Sequence, residues 1–115
     1  MARRSVKWAQ VAWDDLEQIA DHIARDSNHY AASFVRRIRD TARSLDALSE
    51  RGRVVPELGD PNVRELIVGN YRLIHEVTPE TIFILGVIHG ARDLAALWER
   101  EKRGDSTTAF SVDGE

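Results

Sequence analysis

Residues 63–94, VRELIVGNYRLIHEVTPETIFILGVIHGARDL, read as three strands laid side by side. The first, Val63 to Val68, ends at Gly69-Asn70, a two-residue loop in which glycine tolerates the positive φ that a tight hairpin of the primed types demands. The second, Tyr71 to Val77, stops at Thr78-Pro79-Glu80, where proline presets one turn torsion and cannot donate to a ladder. The third, Ile82 to Ile88, is apolar at every position except Gly86, the composition of a strand covered on both faces. This run is expected to be the centre of the fold.

The 115 residues leave room for one domain and one core, and a hydrophobic content of 43% is enough to fill it. Residues 1–103 are assigned to that domain. The remainder, 104–115, is small, polar and aperiodic and is expected to be a disordered tail. With no cysteine there is neither a disulfide framework nor thiol chemistry. No run approaches the roughly 20 apolar residues of a membrane helix, and no signal-like segment follows Met1-Ala2-Arg3-Arg4, so the expectation is a cytoplasmic protein without a membrane partner. A formal charge of -3 argues against sequence-independent nucleic-acid binding, which rests on clustered excess positive charge.

Upstream of the hairpin the period changes twice. Ser5 to Trp8 reads as a first, edge strand. From about Val11, the residues Trp13, Leu16, Ile19, Ala20, Ile23 and Ala24 recur at three- and four-residue steps and make the apolar stripe of a helix ending near Asp26, with Asp14, Asp15 and Glu17 placed toward the positive end of its dipole. Ser27-Asn28 offers an N-cap. A second stripe, Ala31, Phe34, Val35, Ile38, Ala42, Leu45 and Leu48, predicts a helix of roughly six turns that ends at Gly52 and lies antiparallel to the first. Arg36, Arg37, Arg39 and Arg43 fall largely off that stripe, as either a solvated face or a surface for a partner. Gly52 to Asn62, with two prolines, reads as a connection. After the sheet, Asp93 could cap a short last helix bearing Leu94, Leu97 and Trp98 and ending near Arg103. The order β-α-α-β-β-β with a short terminal helix is an α+β arrangement in which a helical hairpin covers one face of an antiparallel sheet.

Chemistry-bearing residues are few. His22, His29, His75 and His89 are too scattered for a metal site, and no phosphate-cradling glycine loop is present, so neither metal nor cofactor is expected. Strand alternation puts Arg72, Ile74 and Glu76 on one face and Tyr71, Leu73, His75 and Val77 on the other. Arg72 could pair with Glu76, or with Glu65 across the hairpin; alternatively its planar fork could be presented to a phosphate or a partner carboxylate. Arg92 could join it at one end of the sheet. His89, at the end of the third strand, could act as an acid or base or simply satisfy backbone groups.

In combination, Arg64-Glu65-Leu66, Tyr71-Arg72-Leu73-Ile74 and Ile88-His89-Gly90-Ala91-Arg92-Asp93-Leu94, in that element order, resemble the RelE/ParE superfamily of bacterial toxins over roughly Val6 to Glu101. The resemblance implies the toxin half of a type II toxin–antitoxin pair, neutralised by a small antitoxin in a hetero-oligomeric complex. RelE-like members cleave messenger RNA on the ribosome with arginines on the sheet and a tyrosine in the last helix. Arg72 and Arg92 match the arginine positions, with His89 beside them, but Trp98 falls on the tyrosine position, and an indole only donates hydrogen bonds. Lys7 and Lys102 are the only lysines, another departure from the nuclease branch. The chain is more similar to the ParE-like branch, whose members poison DNA gyrase by trapping its cleavage complex and are held by ParD-like antitoxins. That resemblance implies no catalytic residue, target contacts at Arg92, Trp98 and Arg100 with Arg72 second, and antitoxin anchors on the helical hairpin at Leu16, Ile23, Phe34 and Ile38 wherever those side chains face solvent.

Overall fold

The computed structural model describes residues 3–90, in the order β1 (Ser5–Trp8), α1 (Gln10–Ala24), α2 (Asn28–Ser44), β2 (Arg53–Val54), β3 (Val63–Val68), β4 (Tyr71–Val77) and β5 (Thr81–His89). The expected last helix, the tail and Arg92, Trp98 and Arg100 lie outside the described residues.

The five strands form one sheet in the order β1-β5-β4-β3-β2. The hairpin expected at Gly69-Asn70 is present: Val68 opposes Tyr71, and φ is +61° at Gly69 and negative at Asn70, as in a type II′ turn. β5 is an interior strand, as its composition predicts, and it bulges where Leu85 has no partner between the pairs Ile74–Gly86 and His75–Ile84. Asp15 reaches from α1 to accept from the Val87 N–H at 3.1 Å, tying helix to strand at this irregularity.

Two features depart from the sequence reading. The sheet is mixed, because β1 pairs with β5 in parallel, Ser5 to Trp8 against Thr81 to Ile84. An isolated four-residue strand carries no cue to its partner's direction. The segment read as a pure connection also holds β2, whose two residues pair antiparallel with Arg64 and Glu65.

The helices lie on one face. Ala12, Leu16, Phe34, Ile38, Ala42 and Leu45 pack against Trp8, Val68, Leu73, Ile82, Ile84 and Val87 to form the main core. A second cluster, Val55, Val63, Ile74 and Ile88 with Leu58 and Leu85 against it, lies on the opposite face beneath the β2–β3 loop. β5 therefore contributes to both faces. Among the described residues no helix is long and apolar enough to cross a membrane.

Helix boundaries follow local chemistry. Ser27 is the N-cap of α2 and accepts from the Tyr30 N–H at 3.1 Å. Ser27→Ala is expected to cost about 1 kcal/mol of unfolding free energy, read by urea denaturation. α1 has no such cap: Ala9 sits at its N-cap position, and no acidic residue lies in its first turn. Asp14, Asp15 and Glu17 fall further along than a dipole role requires. α2 stops at Ser44, short of Gly52, with Leu45 still buried in the core and Leu48 exposed. Gly52 serves a different purpose. Its φ is +86°, and a Cβ there would run into the backbone carbonyl of Glu65. Gly52→Ala should therefore lower stability by at least about 1 kcal/mol by forcing β2 off β3, measurable as a lower denaturation midpoint and faster amide exchange at Arg53 and Val54.

Candidate functional site

Arg72 lies on the sheet face away from the helices, opposite Ile67 and Ile88, with its side chain 6% exposed. Period-two alternation puts Glu65 on the same face, and the Arg72 Nε donates to Glu65 Oε1 at 2.5 Å. The two terminal nitrogens donate side by side to Glu57, Nη1 to Oε2 at 3.0 Å and Nη2 to Oε1 at 2.8 Å, in the fork-on-fork geometry that gives arginine–carboxylate pairs their directionality. Arg53 closes the set by donating to the other Glu65 oxygen at 2.6 Å. Glu57 comes from the loop after β2 and folds back over the sheet, so the network fastens that loop over the second apolar cluster.

Each charge here has an opposite neighbour. Hydrogen bonding to Arg72 holds the Glu57 carboxyl below its ordinary value, against the opposing effect of burial. Hydrogen bonding to Glu57 raises the Arg72 guanidinium, again against burial. Two arginines and two glutamates leave no net charge, and the Arg72 fork is engaged by carboxylates. A phosphate could use it only by displacing Glu57.

His75 occupies the other face. It is fully buried opposite Ile84 and beside Arg64, and neither ring nitrogen forms a hydrogen bond, although the backbone of Leu73 and Arg51 lies close by. Burial pushes its pKa down to about 4, with the Arg64 charge acting in the same direction. Arg64 itself donates to the Gly52 carbonyl at 3.2 Å. Arg72 and His75 are thus separated by the sheet, as strand alternation requires.

His89 ends β5 at an exposed position, where it meets the Tyr71 ring edge-on with centroids 5.4 Å apart. Tyr71 in turn leans on Phe34 at 5.1 Å, linking this corner of the sheet to α2. Leu16, Phe34 and Ile38 are buried in the main core, and Ile23 is half-buried against it, so the helical stripe read as possible anchors holds the helices to the sheet instead. A stripe at helical spacing does not say whether a sheet or a partner covers it. Among the described residues no three His, Asp or Glu side chains come together as a metal site.

Of the network, the Arg72–Glu65 pair was readable from the hairpin register. Glu57 was not, because nothing in a proline-flanked loop signals a fold-back onto a strand. Glu76, the other candidate partner, is instead held above its ordinary pKa by burial and the nearby Asp60.

A profile of the ParE toxin of the type II toxin-antitoxin system parDE matches residues 6–94, which include every described strand except the first residue of β1. The chain belongs to the ParE toxin family. Its fold is similar to that of a chain in the structure of the chromosomal ParDE toxin-antitoxin system from P. aeruginosa, with a TM-score of 0.63 and 26% sequence identity over 76% of this chain and 96% of that one. No protein of curated function matches the sequence. Within a chain of that family, Arg72 is fixed between the carboxylates of Glu57 and Glu65.

Proposed function

We propose that this chain is a cytoplasmic poison of DNA gyrase, acting by binding and not by catalysis, and neutralised by a ParD-like antitoxin in a hetero-oligomeric complex. The observation that carries the non-catalytic part is the state of Arg72. A ribonuclease needs positive charge aimed at the phosphate where negative charge develops in the transition state, and a group to move a proton near neutral pH. Arg72 is instead neutralised by two carboxylates, and His89, the exposed histidine that ends β5, packs edge-on against the Tyr71 ring on the corner of the sheet next to α2. Membership of the ParE family supports the rest. Target contacts are assigned to Arg92, Trp98 and Arg100, with Arg72 supporting the sheet from behind.

Purified protein titrated into gyrase supercoiling reactions is expected to inhibit them and to accumulate cleaved DNA, and to leave messenger RNA intact on translating ribosomes. Ribosome-dependent RNA scission that disappears in an Arg72→Ala or Arg92→Ala variant, with supercoiling unaffected, would overturn the proposal.

A further inference from the structure

The sheet edge at β3 is only partly covered. A two-residue turn closes on a hydrogen-bonded pair, so Val68 exchanges both backbone bonds with Tyr71, and Ile67 turns its N–H and C=O away from β4. Glu65 faces the same way and meets Arg53 of β2, but β2 pairs with Arg64 and Glu65 alone. Beyond it the edge is open at Ile67, whose side chain is 61% exposed. An open edge beside an exposed apolar side chain accepts a further strand.

Between this edge and α2 lies a depression of about 270 Å³, lined by Arg37, Asp40, Thr41 and Arg51 with Leu66 and Val68 at its floor. Its carboxylate, Asp40, is paired with Arg43. Arg51 donates to Ser44 Oγ at 2.9 Å, and among the described residues no carboxylate pairs with Arg37 or Arg51. Leu66 and Val68 face the helices and Ile67 faces away, so the edge carries two uncompensated cations on one side of the sheet and an apolar side chain on the other. A strand that fits it is acidic on one face and apolar on the other.

The chain's own end has that pattern. Three of the 19 acidic residues, Asp105, Asp113 and Glu115, follow Arg103 and none of the 16 basic ones does, so the formal charge of -3 resides entirely in residues 104–115. In an extended run Phe110 and Val112 fall on one face, and Ser111, Asp113 and Glu115 on the other. The segment is also within reach. The described chain leaves the sheet at Gly90, whose N–H donates to the Asn70 carbonyl at 2.9 Å, and His89 opposes Tyr71, which opposes Val68. That exit lies two strand spacings, about 10 Å, from the edge of β3, whereas residues 91–109 would span about 28 Å even at the rise of a helix. A second copy fits less well, because pairing two β3 edges would set the arginines of one against those of the other.

We infer that Phe110–Glu115 adds to β3 at Ile67 as a further strand of the same chain, with Phe110 and Val112 over the Ile67 side chain and Asp113 and Glu115 toward Arg37 and Arg51. The tether holds the segment at an effective concentration of about millimolar, so a contact too small to join separate molecules suffices within one. The occupied edge is closed to strands of other molecules. The inference is independent of the gyrase reading.

The test is amide exchange resolved by residue on the full chain. The Ile67 amide is expected to exchange at least about tenfold more slowly in the unaltered chain than in Phe110→Asp/Val112→Asp. Arg37→Glu/Arg51→Glu should release it to a like extent, and adding Asp113→Arg/Glu115→Arg to that variant should restore most of the protection. The Val68 amide, bonded to Tyr71, is the internal reference and should not change, and matching thermal melts confirm that each variant is folded. Equal Ile67 exchange in the unaltered chain and in Phe110→Asp/Val112→Asp would leave the edge uncovered, and protection that fades on dilution would assign it to a second copy. Either result, or no recovery in the charge-swapped variant, overturns the inference.

Discussion

Arg72→Ala is expected to lower the free energy of unfolding by about 3–5 kcal/mol, a large share of the roughly 5–15 kcal/mol available to a domain of this size. The substitution removes three hydrogen bonds and leaves Glu65, whose side chain is completely buried, with Arg53 alone. It also releases Glu57, so the loop over Val55, Ile74 and Ile88 loses its fastening. The cost belongs to the broken pair and not to the absence of charge as such, since bringing two ions out of water is itself unfavourable. Arg72→Met combined with Glu65→Leu should therefore recover most of the loss. Chemical denaturation of the wild type, each single variant and the double variant forms the cycle, and the coupling is expected to exceed about 2 kcal/mol. The double variant also separates structure from function, for it should still inhibit gyrase. A folded double variant without inhibition would mean that Arg72 touches the target itself.

The second large effect is a dependence of stability on acidity. His75 has a folded-state pKa of about 4 against an ordinary value of 6.5, and burial is the principal cause. Between those limits the unfolded chain binds a proton that the folded chain refuses, so stability rises with pH across the window and falls on acidification. The full difference corresponds to about 3 kcal/mol, present above pH 6.5 and lost by about pH 4. Glu76 acts oppositely, because its raised pKa favours the folded state at the acid end and that contribution disappears as pH rises through it. Glu57, whose pKa is lowered by its bonds to Arg72, acts in the same direction as His75 at the acid end, so the net slope is set by all three groups. His75→Leu removes the imidazole without leaving an unsatisfied polar atom, and it should flatten the curve between pH 4 and 6.5 and leave stability at pH 7 equal to or above wild type. An unchanged slope in that variant would contradict the assignment.

Much of this architecture was legible because each decisive signal was local. Gly69-Asn70 fixes a hairpin, Thr78-Pro79-Glu80 ends a strand, and the two apolar stripes have the helical period. Given the hairpin register, Glu65 and Arg72 must share a face and His75 must occupy the other. What escaped the reading depended on long-range pairing or on where a loop lands. Nothing near Ser5 to Trp8 encodes that β1 runs parallel to β5. Nothing near Glu57 encodes that its carboxylate closes on Arg72. Gly52 could be recognised as a residue needing positive φ, but a helix end and a close approach to Glu65 ask for the same glycine. The apolar residues of α1 and α2 posed a further ambiguity, since core and interface present the same pattern before the sheet's position is known.

The pairing of β1 with β5, the last described strand, also governs when the sheet can be completed. Ser5 to Trp8 must wait for Thr81 to Ile84, so the sheet is incomplete until nearly the whole described chain has left the ribosome. At a synthesis rate of about 5–20 residues per second, that interval is roughly 4–15 s, followed by closure of a long loop before the two strands reward each other. Until Thr81 to Ile84 emerge, a nascent chain therefore leaves β1 without the strand it pairs with.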